Sequence, residues 1–554
     1  MNVQVDSVPP TFTLAFSNPP TRSSGSATHA DERDPVTGYD VAFRRDESVT
    51  VSISADEPVN NVKLTVVGIG PGGSAGQAQA PVTVQPGGTC DGSPAFCGNV
   101  TVDLSTLDMR DIHGTADFQV AGVDAVGNPG SKSAGLKVTR WKWAFDAAGP
   151  ISGSPAVGAR GFVYLGTNLF TNAGRMLAIG PDGARKWEVT TMGDALGSPA
   201  VGAFNSNEEY VYAAAKTGAG TVLYALRGSD GTEKARCPVS NVTDLPGSLA
   251  VGTTSLTVGT GETGTGIFSG SQVHLVGIRP DALLSGDKCV DISGSGMGAL
   301  PASVTGGAFV MKDQNVFYGT PAFKLASYDI SAGTSSPRSG FPLNTTSLTR
   351  GLAILSDRVY GGAANTDDPS QGSLFSVLMA SPPAISFVYP QANTSRVFNL
   401  AIGSGDTAFF GAETVSSAEL LSLALGTTGA TPTKVADVGT LKGSPVIGKN
   451  DRLYTLNTVG KLSAWIASSL APVWSADLVL DLAKDTSPTL DCRRDASGNA
   501  VAGSSMGSLY FAGGNKLYAI IVDSPGMDPN APWPRFQHDA RNTGNPATPV
   551  TNCP

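Results

Sequence analysis

Histidine is almost missing from this chain. Its 554 residues hold four, His29, His113, His274 and His538, scattered from one end to the other. Such scatter offers neither a catalytic dyad nor a metal cluster, and a structural or solvated role is expected for each. Charge is sparse too, at 15% of residues with a net −9. A nucleic-acid surface needs a basic stripe, so that class of partner is excluded. No apolar run reaches the roughly 18 residues of a membrane-spanning helix. Long 3.6-residue periodicity is missing, which argues against helical architecture. Neither Cys-x-x-Cys nor Cys-Cys occurs, which weakens a zinc reading. The glycine run 259–266 has no Gly-Lys-Ser/Thr behind it and reads as a flexible loop, not a phosphate cradle.

What is abundant is glycine (68) and proline (37), with aromatics at 7%. Runs rich in Val, Thr, Tyr and Phe lie between Gly, Asn, Asp and Ser clusters, the pattern of an all-β chain. The length exceeds one ordinary domain. A phrase also returns: Gly153-Ser-Pro-Ala-Val-Gly158, Gly197-Ser-Pro-Ala-Val-Gly202, Gly247-Ser-Leu-Ala-Val-Gly252 and Gly443-Ser-Pro-Val-Ile-Gly448. Intervals of 44 and then 50 residues are those of propeller blades or solenoid turns.

Residues 1–139 carry no copy of the phrase. They read as seven short strands near 11–16, 48–54, 61–66, 81–84, 100–103, 116–121 and 135–139, enough for a β-sandwich. The polar stretch 21–37 reads as a long mobile loop. Gly114-Thr-Ala-Asp-Phe-Gln-Val-Ala-Gly-Val-Asp-Ala-Val-Gly-Asn128 resembles the penultimate strand and Asp-x-x-Gly-Asn corner of bacterial immunoglobulin-like domains. Asp6-Ser-Val-Pro-Pro-Thr11 is similar to their first strand. The antibody Cys-Trp-Cys core is missing, so the resemblance implies the bacterial surface type alone.

From 140 to 545 the repeat takes over. Opening strands fall near 153, 197, 247, 300, 350, 399, 443 and 486. Second strands end in Tyr or Phe before Gly, as in Phe162-Val-Tyr-Leu-Gly166, and third strands are Leu-rich, as in Val222-Leu-Tyr-Ala-Leu226. Eight units of four strands suit a β-propeller. Trp141-Lys-Trp-Ala-Phe145 precedes the first unit as Arg185-Lys-Trp-Glu-Val189 precedes the second, while the last unit lacks a fourth strand. Residues 141–146 are therefore expected to complete the eighth blade and close the ring. Gly174-Arg-Met-Leu-Ala-Ile-Gly-Pro-Asp-Gly-Ala-Arg-Lys-Trp187 resembles the repeat of pyrroloquinoline-quinone-like (PQQ-like) propellers. Pro532-Trp-Pro-Arg-Phe-Gln-His-Asp-Ala-Arg-Asn-Thr-Gly544 is similar to a segment of exported members of that superfamily. Residues 546–554 form a tail.

The resemblance implies a fold more than an activity. A quinoprotein dehydrogenase needs a carboxylate-held calcium or lanthanide, an Asp base and usually adjacent cysteines. With no Cys-Cys pair and six Trp, no cofactor is expected and the chain reads as non-catalytic. Calcium is the cation that the acidic loops 365–369 and 523–528 would take, although turns are rich in Asp and Asn in any case. Six cysteines allow 15 pairings. Cys90 and Cys97 bracket a short loop, Cys237 and Cys289 match in successive repeats, and Cys492 and Cys553 would tie the last repeat to the C-terminus. Disulfides imply export; free buried thiols are the alternative. The start at Met1 reads as a mature or truncated chain. Contact residues for a protein or glycan partner are expected where loops enter the innermost strands: Asp194, Asp244, Arg350, Lys442, Lys484 and Asp485. The expected role is a non-catalytic exported bacterial binding or scaffolding protein, at the cell surface or in the periplasm. A PQQ- or metal-dependent oxidoreductase and a structural subunit of a surface appendage or coat are the rivals.

Overall fold

Strict alternation governs the N-terminal strands. Ser48–Ala55 buries Val49, Val51, Ile53 and Ala55 and turns the residues between them outward, the period-2 pattern of a strand covering a core on one face. A computed structural model describes residues 6–35, 42–70, 82–83, 96–205, 208–239, 249–251, 257–261, 274–278, 289–291, 309–313, 315–320, 324–329, 336–345, 349–364, 372–380, 382–389, 395–427, 429–478, 486–550 and 553. The chain divides into two compact units. One comprises Met1–Gly25, Asp31–Trp143 and Trp474–Ala476, the other Ser26–Ala30, Ala144–Val473 and Asp477–Pro554.

In the first unit, Phe12–Phe16, Ser48–Ala55 and Phe96–Asp103 form one antiparallel sheet. Phe43–Arg44, Pro129–Thr139, His113–Val123, Asn60–Gly70 and Val82–Thr83 form a second, in that order. Both sheets contribute to one core, including Val51, Ile53, Leu64, Val66, Phe118 and Val138. The seven expected strands are present; the two-residue Phe43–Arg44, paired parallel to Pro129–Thr139, is too short to leave a pattern. At the expected corner the Asp124 carboxylate accepts from the backbone N–H of Val126 (2.9 Å) and Asn128 (2.8 Å) and from the Asn128 amide (2.8 Å). His113 heads a strand, its Nε2 2.7 Å from both Asp34 carboxylate oxygens.

The expected mobile loop at 21–37 needs correcting. Ser24–Ser26 and His29–Asp31 are strands. Ala30 N–H donates to Gly183 O at 2.9 Å and Arg185 N–H to Thr28 O at 2.8 Å. The strand pairing runs through backbone groups, and composition cannot report that.

In the second unit, eight sheets are formed among the described residues. The first runs Ala156–Val157, Val163–Gly166, Met176–Ile179, Arg185–Val189, each strand antiparallel to the last. The second and third strands of the other sheets, those of the third sheet apart, carry the expected Tyr- or Phe-containing and Leu-rich patterns, as in Arg358–Ala364 and Gly372–Leu378. Two positions differ. The fourth sheet opens at Phe309–Lys312, later than the expected 300. The start of the glycine run, 259–261, belongs to strand Thr257–Gly261 rather than to a loop; its remainder lies outside the described residues. The last sheet joins Thr489–Cys492, Gly507–Gly513 and Lys516–Val522 to Trp141–Asp146, with His29–Asp31 and Ser24–Ser26 beyond. The strand that precedes the first sheet therefore completes the last one. Asn515 O and Gly514 O accept from Ala147 and Ile151 N–H beside it (2.8 and 2.9 Å). Four-stranded sheets repeated in this way make a β-propeller.

Candidate functional site

The recurring phrase owes its residue types to the innermost strands. Ser154 N–H donates to Ser198 Oγ, Ser444 N–H to Ser487 Oγ and Ser487 N–H to Ser154 Oγ, each at 2.8 Å. This belt links the seventh sheet to the eighth, the eighth to the first and the first to the second. In the sixth sheet Asn399 takes the serine's place, its amide donating to Lys442 O at 2.7 Å. The preceding glycines permit the approach: a Cβ on Gly153 would lie 2.4 Å from the Gly197 carbonyl, and one on Gly443 2.4 Å from Thr486 O.

The phrase's fifth residue points its N–H at the axis, where the C-terminal segment 526–545 accepts it. Val157 donates to Ala540 O (2.6 Å), Val201 to Arg541 O (2.8 Å), Val251 to Thr543 O (2.7 Å) and Met311 to Gly544 O (2.8 Å). Ile402 donates to Trp533 O (2.7 Å) and Ile447 to Pro534 O (2.9 Å). Met311 N–H thus fixes the register of the displaced fourth sheet. One short segment binds sheets one to four, six and seven, and the eighth is held through Arg535 Nε, which donates to Pro488 O at 2.9 Å.

The plug's own polar side chains are buried. Arg535, Gln537, Asp539 and Asn542 are fully enclosed and His538 nearly so. Asn542 Nδ2 donates to Ser154 O (3.1 Å) and Pro199 O (2.9 Å), and Asn545 Nδ2 to Val251 O (2.9 Å). Arg535 donates to Asp539 O at 2.7 Å and to Asn542 Oδ1. Burial pushes its guanidinium down to about 9, against the pull of Asp539. The Asp539 carboxylate accepts from Arg541 Nη2 (3.0 Å), Thr543 Oγ1 (2.8 Å) and Thr548 Oγ1 (2.9 Å). Burial opposes its ionisation, but Arg541, His538 and the Thr543 N–H outweigh that and hold it at about 2. His538 packs edge-on to Trp533 at 5.0 Å.

Of the expected contact residues, Asp194 is 2% exposed. Its Oδ1 accepts from Leu169 N–H (2.8 Å) and Gly174 N–H (2.9 Å), and its Oδ2 from Asn172 N–H (2.7 Å). It is a clamp on the turn at 168–174 rather than a group facing a partner. Arg350 and Lys442 are half-buried, and the Lys442 carbonyl serves the inter-sheet link to Asn399. Asp244, Lys484 and Asp485 lie outside the described residues, as does loop 365–369.

Sequence reasoning missed the apolar tips. Phe170 is 81% exposed, Val415 79% and Val459 68%. Each sits in the turn between the second and third strands of its sheet: the first, sixth and seventh. These turns lie at the end of the sheets where the chain approaches its inner strands, since Asp194 reaches the first turn and Asn457 Nδ2 donates to Val438 O at 3.0 Å. A large apolar residue at a turn between two patterned strands is the signal that could have found them.

Cys492 and Cys553 are joined by a disulfide spanning 61 residues. Cys97 and Cys237 are also disulfide-bonded; Cys90 lies outside the described residues, and Cys289 lies on the strand Cys289–Asp291. Asp491 sits beside the Cys492–Cys553 bridge, but oxidised cysteines offer no thiolate, and Asp491 is engaged by Arg494 Nε at 2.5 Å. Asp6, Glu57 and Asp124 bring carboxylates together in the first unit. Partial desolvation and the charges of Asp124 and Asp6 raise the Glu57 carboxyl. Among the described residues, no such cluster includes Asp523 or Asp528; Asp528 Oδ1 instead accepts from Asn530 N–H at 2.9 Å, as a turn residue does.

No protein-family profile matches the chain, and no curated protein matches it. Among solved structures it is similar to Sqt1 of Saccharomyces cerevisiae, at 10% identity over 69% of this chain and 98% of that one, with a TM-score of 0.48. It is similar also to BamB of Moraxella catarrhalis, at 15% identity over 63% of this chain and 91% of that one, TM-score 0.38. AztD of Citrobacter koseri matches at 12% identity over 64% of this chain and 90% of that one, TM-score 0.40. Similarities at this level assign neither an activity nor a partner.

Proposed function

We propose that this chain is a non-catalytic, exported bacterial binding or scaffolding protein. In this reading residues 1–139 are an immunoglobulin-like sandwich and 140–545 an eight-bladed PQQ-like propeller whose loops engage a protein partner. The observation that carries it is the plug. The ring's axis is taken by 526–545, whose buried Arg535 and Asn542 are spent on holding inner strands together and whose buried Asp539 is spent on Arg541, Thr543 and Thr548 of its own segment. These residues do not fit a stacked quinone, and no adjacent cysteines stand beneath one. A plugged, cross-linked ring is a rigid plate, and its binding capacity lies in its surface turns. Oxidised Cys97, Cys237, Cys492 and Cys553 support an oxidising compartment.

The test sets turnover against binding. The purified full chain is incubated with PQQ and calcium and assayed for dye-linked alcohol oxidation, and in parallel used as bait on envelope extract. Stoichiometric retention of one envelope protein without dye reduction is expected. Quinone-dependent turnover would make the chain an oxidoreductase instead.

A further inference from the structure

The buried charges of the plug do not balance. Arg535 is fully enclosed, and every acceptor it meets is neutral: Pro488 O at 2.9 Å, Asp539 O at 2.7 Å and the side-chain oxygen of Asn542. The carboxylate that acts on it is that of Asp539, which is already spent. Its oxygens accept from Arg541 N–H and Nη2, from Thr543 N–H and Oγ1, and from Thr548 Oγ1. His538, with Nδ1 3.8 Å from Asp539 Oδ2, can add only positive charge. Two guanidinium groups therefore share one carboxylate. Even lowered to about 9 by burial, Arg535 keeps its proton at neutral pH.

One edge of that guanidinium is unmet. Arg535 Nη2 is buried without an acceptor among the described residues. Thr489 Oγ1 is likewise buried and unmet, one residue along from the Pro488 carbonyl that Arg535 Nε reaches. The eighth sheet also departs from the backbone scheme of its neighbours. Where the sixth, seventh and first sheets give an inner-strand N–H to a plug carbonyl, the plug sends the eighth the Arg535 side chain. Leu490 holds the corresponding place there. Two residues on in the same strand, Cys492 N–H leaves the sheet to donate to Cys553 Sγ at 3.1 Å. Alternate residues of a strand turn their N–H groups the same way, so Leu490 N–H also faces out of the sheet. A guanidinium edge, a hydroxyl and a backbone N–H, all on or bonded to the stretch 488–490, make a donor set suited to an anion. A water at Nη2 would satisfy the hydrogen bond but leave the charge unpaired in the interior, which is costly.

We propose that a small monovalent anion of the halide class sits beside Arg535 Nη2, between the plug and the strand Thr489–Cys492, as the counter-ion that completes closure of the ring. Arg535, Thr489 and Asp539 are each fully enclosed, which favours an ion of few atoms over a bulky oxyanion. One negative charge is what the two guanidinium groups and Asp539 lack. Binding by the surface turns does not depend on this site.

The probe is chloride itself, with bromide as its heavy analogue. The full chain, exchanged into sodium gluconate, is melted at constant ionic strength while chloride replaces gluconate. An ion bound by the folded chain alone should raise the wild-type midpoint by about 3 °C over a hundredfold range of chloride above its dissociation constant. Arg535→Gln should show no such rise. Wild-type crystals grown with bromide should carry an anomalous peak at Arg535 Nη2. Should Arg535→Gln fail to fold, the wild-type titration and the bromide peak decide the matter together. A midpoint indifferent to chloride, or equally sensitive in wild type and Arg535→Gln, would overturn the site. So would density at Nη2 without anomalous signal, which would make the occupant a water. A bromide peak with no chloride effect on melting would mean an adventitious ion only, and would overturn it too.

Discussion

Asp194 and Asp539 show how a carboxylate can be structural in a chain with few charges. Asp194 meets three backbone N–H groups that the sharp turn at 168–174 leaves without strand partners. Asp194→Ala is expected to cost about 2–4 kcal/mol, since buried donors lose a charged acceptor. Urea unfolding measures the loss, and faster amide exchange at Leu169, Asn172 and Gly174 would localise it. Asp539 adds a pH signature. Its folded carboxyl, held at about 2, lies below the ordinary carboxylate value. The stability it contributes is therefore present above about pH 4 and lost as the pH falls toward 2, on the order of 2 kcal/mol. Asp539→Asn is expected to lose that amount at pH 7 and almost nothing near pH 2. Urea titrations across that range would contradict the assignment if the two proteins differed equally at both ends.

At the scale of the strand, the repeat phrase is a joint between neighbours. Glycine lets two inner strands approach, serine bridges them, and the fifth residue turns its N–H to the axis. Ser487→Ala removes the acceptor of Ser444 N–H at a buried site and should cost about 1–2 kcal/mol. Gly153→Ala drives a Cβ into the Gly197 carbonyl at 2.4 Å and should cost about 2 kcal/mol or more through displaced backbone. Denaturant midpoints compare the two. If Gly153→Ala were as stable as wild type, the close approach would not be what selects glycine. Where the phrase loses its serine in the sixth sheet, Asn399 takes the place and still makes the link, to a carbonyl.

For the molecule as a whole, ring closure depends on the two ends of the repeat region. Trp141–Asp146 completes the last sheet, and Arg494 Nη1 donates to Ala159 O at 2.9 Å across the junction of last and first sheets. The plug then ties the inner strands together, and the Cys492–Cys553 bridge holds its end. Closing a 61-residue loop corresponds to about 4 kcal/mol in the chain-entropy account. Cys492→Ala/Cys553→Ala should therefore melt well below wild type, and reductant should leave the variant's midpoint less changed than that of wild type. A wild-type midpoint indifferent to the loss of this bridge would mean that the plug stays seated without it.

Much of this was legible in the chain and some was not. Periodic residues such as Val49, Val51 and Ile53, and the returning Gly-Ser-Pro phrase, determined the β class, most strand positions and the closing role of 141–146. Those are local properties, written in the spacing of apolar residues and turn formers. The tertiary structure alone decided that 526–545 fills the axis, that Asp194 is an internal clamp, that 24–31 pairs as strands, and that Phe170, Val415 and Val459 share one face. These features depend on which groups meet across tens to hundreds of positions, and such contacts leave no periodicity in the sequence.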